Sequence, residues 1–107
     1  MKDTFGHYIR KLRKQHKLTL TQLAAKLDLD SANLSKIENG KRRFDDKRLE
    51  LLAGCFDLNL NELKEEYFSE VIAKKLYETN CSSKTLALAE EKVKYLKSKN
   101  AKQAELL

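Results

Sequence analysis

Apolar positions in the first half of the chain recur at helical spacing. Phe5, Ile9 and Leu12 follow i, i+4, i+7 and share one face, while Arg10, Lys11, Lys14 and Lys17 occupy the rest of the surface. Asp3 or Thr4 is placed to cap this helix, which the pattern carries to about His16. Thr19 is placed to cap a second helix with Leu23, Ala24 and Leu27 inward; the small Ala24 admits the close approach of a crossing helix. Asp30 caps a third, with Leu34 and Ile37 inward and Ser31, Ala32, Ser35 and Lys36 outward. Gly40, after Glu38 and Asn39, supplies a left-handed stop. Asp45 caps a fourth helix over roughly 46–56, with Leu49, Leu52, Ala53 and Phe56 inward. Asn59, three residues before Glu62, opens a fifth.

The fifth helix meets no internal stop before about Glu78. Its apolar residues (Leu60, Leu63, Tyr67, Phe68, Val71, Ile72 and Leu76) cover a wider arc than one neighbour needs. The stretch Thr79 to Ser83 breaks the pattern, and Ser82 or Ser83 caps a sixth helix over roughly 84–98. Leu86, Ala89, Val93 and Leu96 then recur in alternating steps of three and four, a narrow seam suited to a partner helix. The end, Ser98 to Leu107, is expected to fray. The two seams can bury each other as a hairpin within one chain, pack on the N-terminal core, or meet the same surfaces of a second chain. Dimerisation is the favoured reading.

Composition agrees with helix throughout. The 107 residues contain no proline and three glycines, so an all-α fold is expected, with one domain and a helical extension. The net charge of +6 is unevenly placed: 13 Lys and Arg face 8 Asp and Glu in residues 1–58, against 9 and 8 in residues 59–107. The basic surplus points the N-terminal half toward a polyanion and leaves the C-terminal half another task. Cys55 sits in an apolar helical stretch and reads as a small buried hydrophobe, Cys81 as an exposed free thiol, and neither has companions at metal-ligand spacing. His7 and His16 flank the first helix without a paired nucleophile or carboxylate cluster. No glycine loop could cradle phosphate. An enzyme, a metal site and a cofactor are therefore not expected. With no signal-like segment and no apolar run long enough for a membrane span, the cytoplasm is the expected location.

The stretch Leu18 to Gly40 carries the most information. Two short amphipathic segments joined by a tight turn, with Lys41-Arg42-Arg43 directly after the second, read as a helix-turn-helix. The small polar outer face of the second segment suits a DNA major groove, and the cations suit its phosphates. Over about residues 5–66 the sequence resembles the lambda-repressor-like, XRE-type helix-turn-helix regulators. The resemblance rests on Ile9, Leu12-Arg13, Leu18-Thr19, Leu23-Ala24, Leu27, Leu34-Ser35, Ile37-Glu38-Asn39-Gly40-Lys41, Leu49, Leu52-Ala53, Phe56, Leu58 and Leu63.

That resemblance implies a five-helix DNA-binding domain over 1–66 and, commonly, a homodimer; past residue 66 the family pattern ends, and 67–107, read on its own seams, is expected to be a C-terminal helical extension that dimerises through Tyr67, Val71, Leu76, Leu86, Val93 and Leu96. Carried over by position, the resemblance assigns base contacts to Ser31, Ala32, Asn33 and Lys36. It assigns phosphate contacts to Thr19, Asn39, Lys41, Arg42 and Arg43. Arg13 and Glu38 match positions that pair across the first and third helices, a structural role. Asp28 stands where the family usually has glycine, and Leu20 where it often has a phosphate-touching glutamine. The implied function is a transcription regulator that binds double-stranded DNA as a homodimer on a palindromic operator, with a likeness to the controllers of restriction-modification genes. Two other readings stay open. One is an antitoxin-like module whose C-terminal helices hold a partner protein; the other is nucleic-acid binding by charge alone.

Overall fold

Side-chain oxygens set where most of the helices begin. In the computed structural model, which describes residues 4–106 and their side chains as far as residue 100, Thr4 accepts the His7 N–H at 3.1 Å. Asp3, the alternative cap, lies outside the described residues. Thr19 and Gln22 form a reciprocal box, each side chain accepting the other's N–H, at 3.1 and 2.9 Å. Asp30 accepts from Asn33 N–H at 2.7 Å and Asn59 from Glu62 N–H at 3.1 Å. The resulting elements are α1 (Phe5–Gln15), α2 (Leu20–Lys26), α3 (Ser31–Glu38), a 3-10 turn (Asp46–Arg48), α4 (Leu49–Phe56), α5 (Leu60–Glu78) and α6 (Ser83–Leu106). No strand occurs among the described residues, and the fold is all-α as expected.

Two boundaries differ from the sequence reading. Asp45 caps the 3-10 turn through the Lys47 N–H, at 3.0 Å, and that hydrogen bond holds its carboxyl below the ordinary value; the α-helix proper starts three residues further on, at Leu49. The sixth helix continues to Leu106, past the expected end at 98: no glycine or proline follows, and the good helix formers Lys, Ala, Gln, Glu and Leu around Ser98 and Asn100 carry it on.

The first five helices stop in one way. Lys17, Asp28, Gly40, Asp57 and Asn80 take left-handed backbone, with φ of 55°, 57°, 74°, 52° and 55°. The residue after each donates its N–H back across the last turn: Leu18 to Arg13, Leu29 to Ala24, Lys41 to Lys36, Leu58 to Ala53 and Cys81 to Leu76, at 2.8–3.0 Å. This is the Schellman termination. Asp28 thus does the work of the glycine usual in the turn. Lys17 lacks the short polar side chain that makes the left-handed region tolerable, so Lys17→Gly should stabilise the protein by about 0.5 kcal/mol, the relief of left-handed strain exceeding the added unfolded-state entropy. Urea unfolding of the two proteins measures it; an unchanged or lower midpoint would count against that balance.

The chain divides into two units, the first ending at Ile72 and the second starting at Ala73. In the first, Ile9, Leu23, Leu27, Leu34, Leu49 and Leu52 are fully buried. Phe5, Phe44 and Tyr67 close one end of this core, with Phe5 ring centroids 5.7 Å from Phe44 and 5.2 Å from Tyr67. The Tyr67 hydroxyl donates to the Phe44 carbonyl. Tyr67, assigned above to a dimer surface, is therefore core: its ring is buried and its one polar atom is spent inside the unit. Val71 is half-buried against the same core. Cys55 is half-buried beside it, and Cys81 is exposed; both are free thiols.

Leu76 is half-buried, whereas Leu86, Val93 and Leu96 on α6 are 41%, 48% and 56% exposed. Among the described residues no helix is long and apolar enough to cross a membrane.

Candidate nucleic-acid interface

The position of α3 is set by three contacts that sequence patterning reveals only in part. Gly6 lets α1 cross α3 at backbone distance: a Cβ there would lie 3.0 Å from the Ile37 carbonyl carbon, closer still to its oxygen, and 3.3 Å from the Glu38 Cα. Beside this crossing, the Arg13 Nε and Nη2 donate to the two Glu38 oxygens at 2.8 and 3.0 Å, and Nη1 donates to the Leu18 carbonyl at 3.0 Å. Glu38 is 3% exposed. The hydrogen bond to Glu38, ahead of the opposing effect of burial, holds the Arg13 guanidinium above its ordinary pKa. The pair the resemblance implied is thus a two-pronged clamp between α1 and the end of α3.

The third contact comes from Arg48, which sequence reading passed over. Its Nε and Nη2 donate to the Leu27 and Asp28 carbonyls at 3.0 and 3.2 Å, and its Nη1 to Asp45 at 2.8 Å. One side chain thereby ties the turn between α2 and α3 to the start of the 3-10 turn. Glu70 was missed in the same way. It accepts the Phe5 N–H at 2.7 Å, satisfying a donor at the start of α1 from across the unit.

Held in this way, α3 presents Ser31, Ala32 and Lys36 exposed. Asn33 is half-buried and engaged: its Nδ2 donates to Asp30 Oδ2 at 2.9 Å, and its Oδ1 accepts from Arg42 Nη1 at 2.7 Å. Asn39 is exposed and donates to the Ser35 hydroxyl at 3.4 Å. Thr19 is exposed at the start of α2, its hydroxyl committed to the capping box.

The basic run does not act as one patch. Lys41 is exposed, its N–H fixed to the Lys36 carbonyl at 2.8 Å. Arg42 folds back on the first turn of α3. Arg43 turns the other way and lines a shallow groove with Phe44, Asp45, Tyr67 and Phe68. The surface therefore offers a helix with small outward side chains at its start, a lysine one turn on, and cations at its flank: the chemistry of base edges and phosphates. Among the described residues no grouping of His, Cys, Asp and Glu could hold a metal ion.

Comparison with known proteins shows the family and the fold. Residues 9–63 match the sequence model of the family described as helix-turn-helix. The chain is 37% identical to the HTH-type transcriptional repressor RghR of Bacillus subtilis over 108 aligned positions, covering 88% of this chain and 80% of that protein. It is 42% identical to the control protein C.MunI of a Mycoplasma species over 65 positions, 59% of this chain and 86% of that one. Among solved structures, the clp gene regulator ClgR of Corynebacterium glutamicum is similar in fold, with a TM-score of 0.50 at 19% identity over 69% of this chain and 79% of that chain.

Proposed function

This chain belongs to the XRE-type helix-turn-helix family of transcription regulators, and we propose that it binds a specific double-stranded DNA operator as a homodimer and regulates by occupying it. One observation carries this reading: α3 turns Ser31 and Ala32 outward at its start and Lys36 outward one turn on, with Arg42 held against its first turn and Lys41 just past its end. A surface binding DNA by charge alone needs no such arrangement. Lys36 suits the guanine O6 and N7 acceptors, and the Ala32 methyl suits a thymine methyl. Thr19, Asn39 and Lys41, with the N-terminus of α2, serve the phosphates.

A homodimer is supported by the uncovered seam Leu86, Val93 and Leu96 on α6. Two-fold pairing would space the recognition helices about 34 Å apart, one turn of DNA, and require a palindromic site. The similarity to RghR over most of the chain supports repression. The similarity to C.MunI supports a second version of the same chemistry, in which the regulated genes belong to a restriction-modification system. The relatives are regulators rather than enzymes, which supports a non-catalytic role.

Selection from a random duplex library at physiological salt, with the mass of the bound species measured on the same sample, tests the reading. A palindromic consensus and a dimeric mass are expected; no enriched sequence would sink it in favour of the partner-binding module. In the same assay Lys36→Ala should relax preference at one base position by about 1–3 kcal/mol. Lys41→Ala should weaken all sequences alike and reduce the slope of log K against log salt by about one. If Lys36→Ala leaves every base preference intact, its place in the recognition set is wrong.

A further inference from the structure

The side chains around the first turn of α3 are connected in an order that reverses two of the roles assigned by position. Asp30 Oδ1 caps the helix at 2.7 Å, and Asp30 Oδ2 accepts from Asn33 Nδ2 at 2.9 Å. Asn33 Oδ1 in turn accepts from Arg42 Nη1 at 2.7 Å. A carboxylate only accepts and a guanidinium only donates. The short side chain between them must do both, and an amide does. One orientation of the Asn33 amide satisfies both neighbours, and in that orientation each end is held by a bond inside the protein.

The guanidinium, by contrast, is only partly used. Arg42 is exposed, and Asn33 takes one of its five N–H donors. The hydrogen bond places it at the third residue of α3, the end of a recognition helix that meets base edges, rather than along the loop with Lys41 and Arg43. A cation near a helix N-terminus opposes the helix dipole, so its placement needs a holder. Asp30 and Asn33 together are that holder.

We propose, on the premise of the DNA-binding reading above, that Arg42 reads a guanine O6/N7 edge and that Asn33 is a positioning residue. On this view Asn33 aims the guanidinium and touches no base itself. Asp30 does double duty, starting the helix with one oxygen and orienting the amide with the other.

The test is the duplex-library selection repeated with the full chain and its Arg42→Ala, Arg42→Lys, Asn33→Ala and Arg42→Ala/Asn33→Ala variants, followed by titration of the selected duplex and its single-base changes. Arg42→Ala should lose roughly tenfold discrimination for guanine at one half-site position. Arg42→Lys, which keeps the charge without the fork, should lose much of it. Asn33→Ala should relax the same position, and the double variant should be no worse than Arg42→Ala alone. Since Arg42 is exposed, its two variants carry the test even if Asn33→Ala disturbs the helix start. Uniform weakening of all sequences by Arg42→Ala would overturn the proposal in favour of a phosphate contact. So would a change of preference under Asn33→Ala at a different base position, which would make Asn33 a reader. A wild-type chain that selects no sequence defeats the DNA-operator reading itself, an outcome distinct from both.

Discussion

Gly6→Ala should destabilise the protein by about 3 kcal/mol, a loss large enough to lower the melting temperature of a unit of this size by more than 10 °C. The glycine sits within a helix, where alanine is intrinsically better by roughly 0.5–1 kcal/mol, so propensity alone predicts the opposite sign. Packing decides. The added methyl would meet the carbonyl of Ile37 and the Cα of Glu38, which are backbone atoms and cannot swing away as a side chain can. Relief requires α1 and α3 to separate, which opens the core at Ile9 and Leu34, both fully buried, and shifts the recognition helix. DNA affinity should therefore fall with stability. Gly54 is the control: nothing lies within 4 Å of the Cβ it lacks, and Gly54→Ala in α4 should stabilise by the propensity difference. Thermal and urea unfolding of both variants by circular dichroism decides the matter; Gly6→Ala melting with the wild type would mean that the helices part without cost.

The second large effect is expected at the Arg13–Glu38 clamp. Glu38→Ala leaves a guanidinium at 12% side-chain exposure with only the Leu18 carbonyl to serve it, and breaking a buried pair from one side costs about 3–5 kcal/mol. Arg13→Ala should cost a similar amount by stranding the carboxylate. Removing both partners as Arg13→Ala/Glu38→Ala strands no charge, so the double variant should be far less destabilised than the sum of the two single alanine variants. Its thermodynamic cycle would show strong coupling rather than additivity. A double variant as unstable as the sum of the singles would mean that the clamp acts through packing volume instead. Because Arg13 is held above an already high pKa, its charged contribution is fully present below its unfolded pKa and is lost only as the pH rises through a still higher folded value. The coupling should accordingly persist across the neutral and mildly alkaline range.

Much of the first unit is legible from local patterning. Thr4, Thr19, Asp30 and Asn59 cap helices as their neighbours imply, and the inward residues of α1 to α4 are buried. These are contacts made within three or four positions in sequence, where spacing carries the information. What escaped is long-range. Phe44 looks like a lone aromatic in a basic loop until Phe5 and Tyr67 enclose it. Arg48 looks like any surface cation until the carbonyls of Leu27 and Asp28 come to it from twenty residues away. Tyr67 lies on an arc too wide for its face to be chosen by periodicity, so the core took a residue that had been offered to a partner. Within the interface, spacing located α3 but did not reveal that Asn33 and Arg42 meet across nine residues.

The turn that ends α3 has a chemical consequence of its own. Asn39 followed by Gly40 is a dipeptide prone to deamidation, in which the backbone nitrogen of the glycine attacks the asparagine side-chain carbonyl, ammonia leaves, and water opens the resulting cyclic imide to a carboxylate. Here that nitrogen carries an N–H already bonded to the Ile37 carbonyl at 3.1 Å, and the left-handed Gly40 holds it there. Folding thus protects the site from chemical ageing. Chains that spend time unfolded should accumulate a negative charge at position 39, beside the surface proposed to meet phosphate, so that the history of a sample becomes readable as lost affinity for DNA.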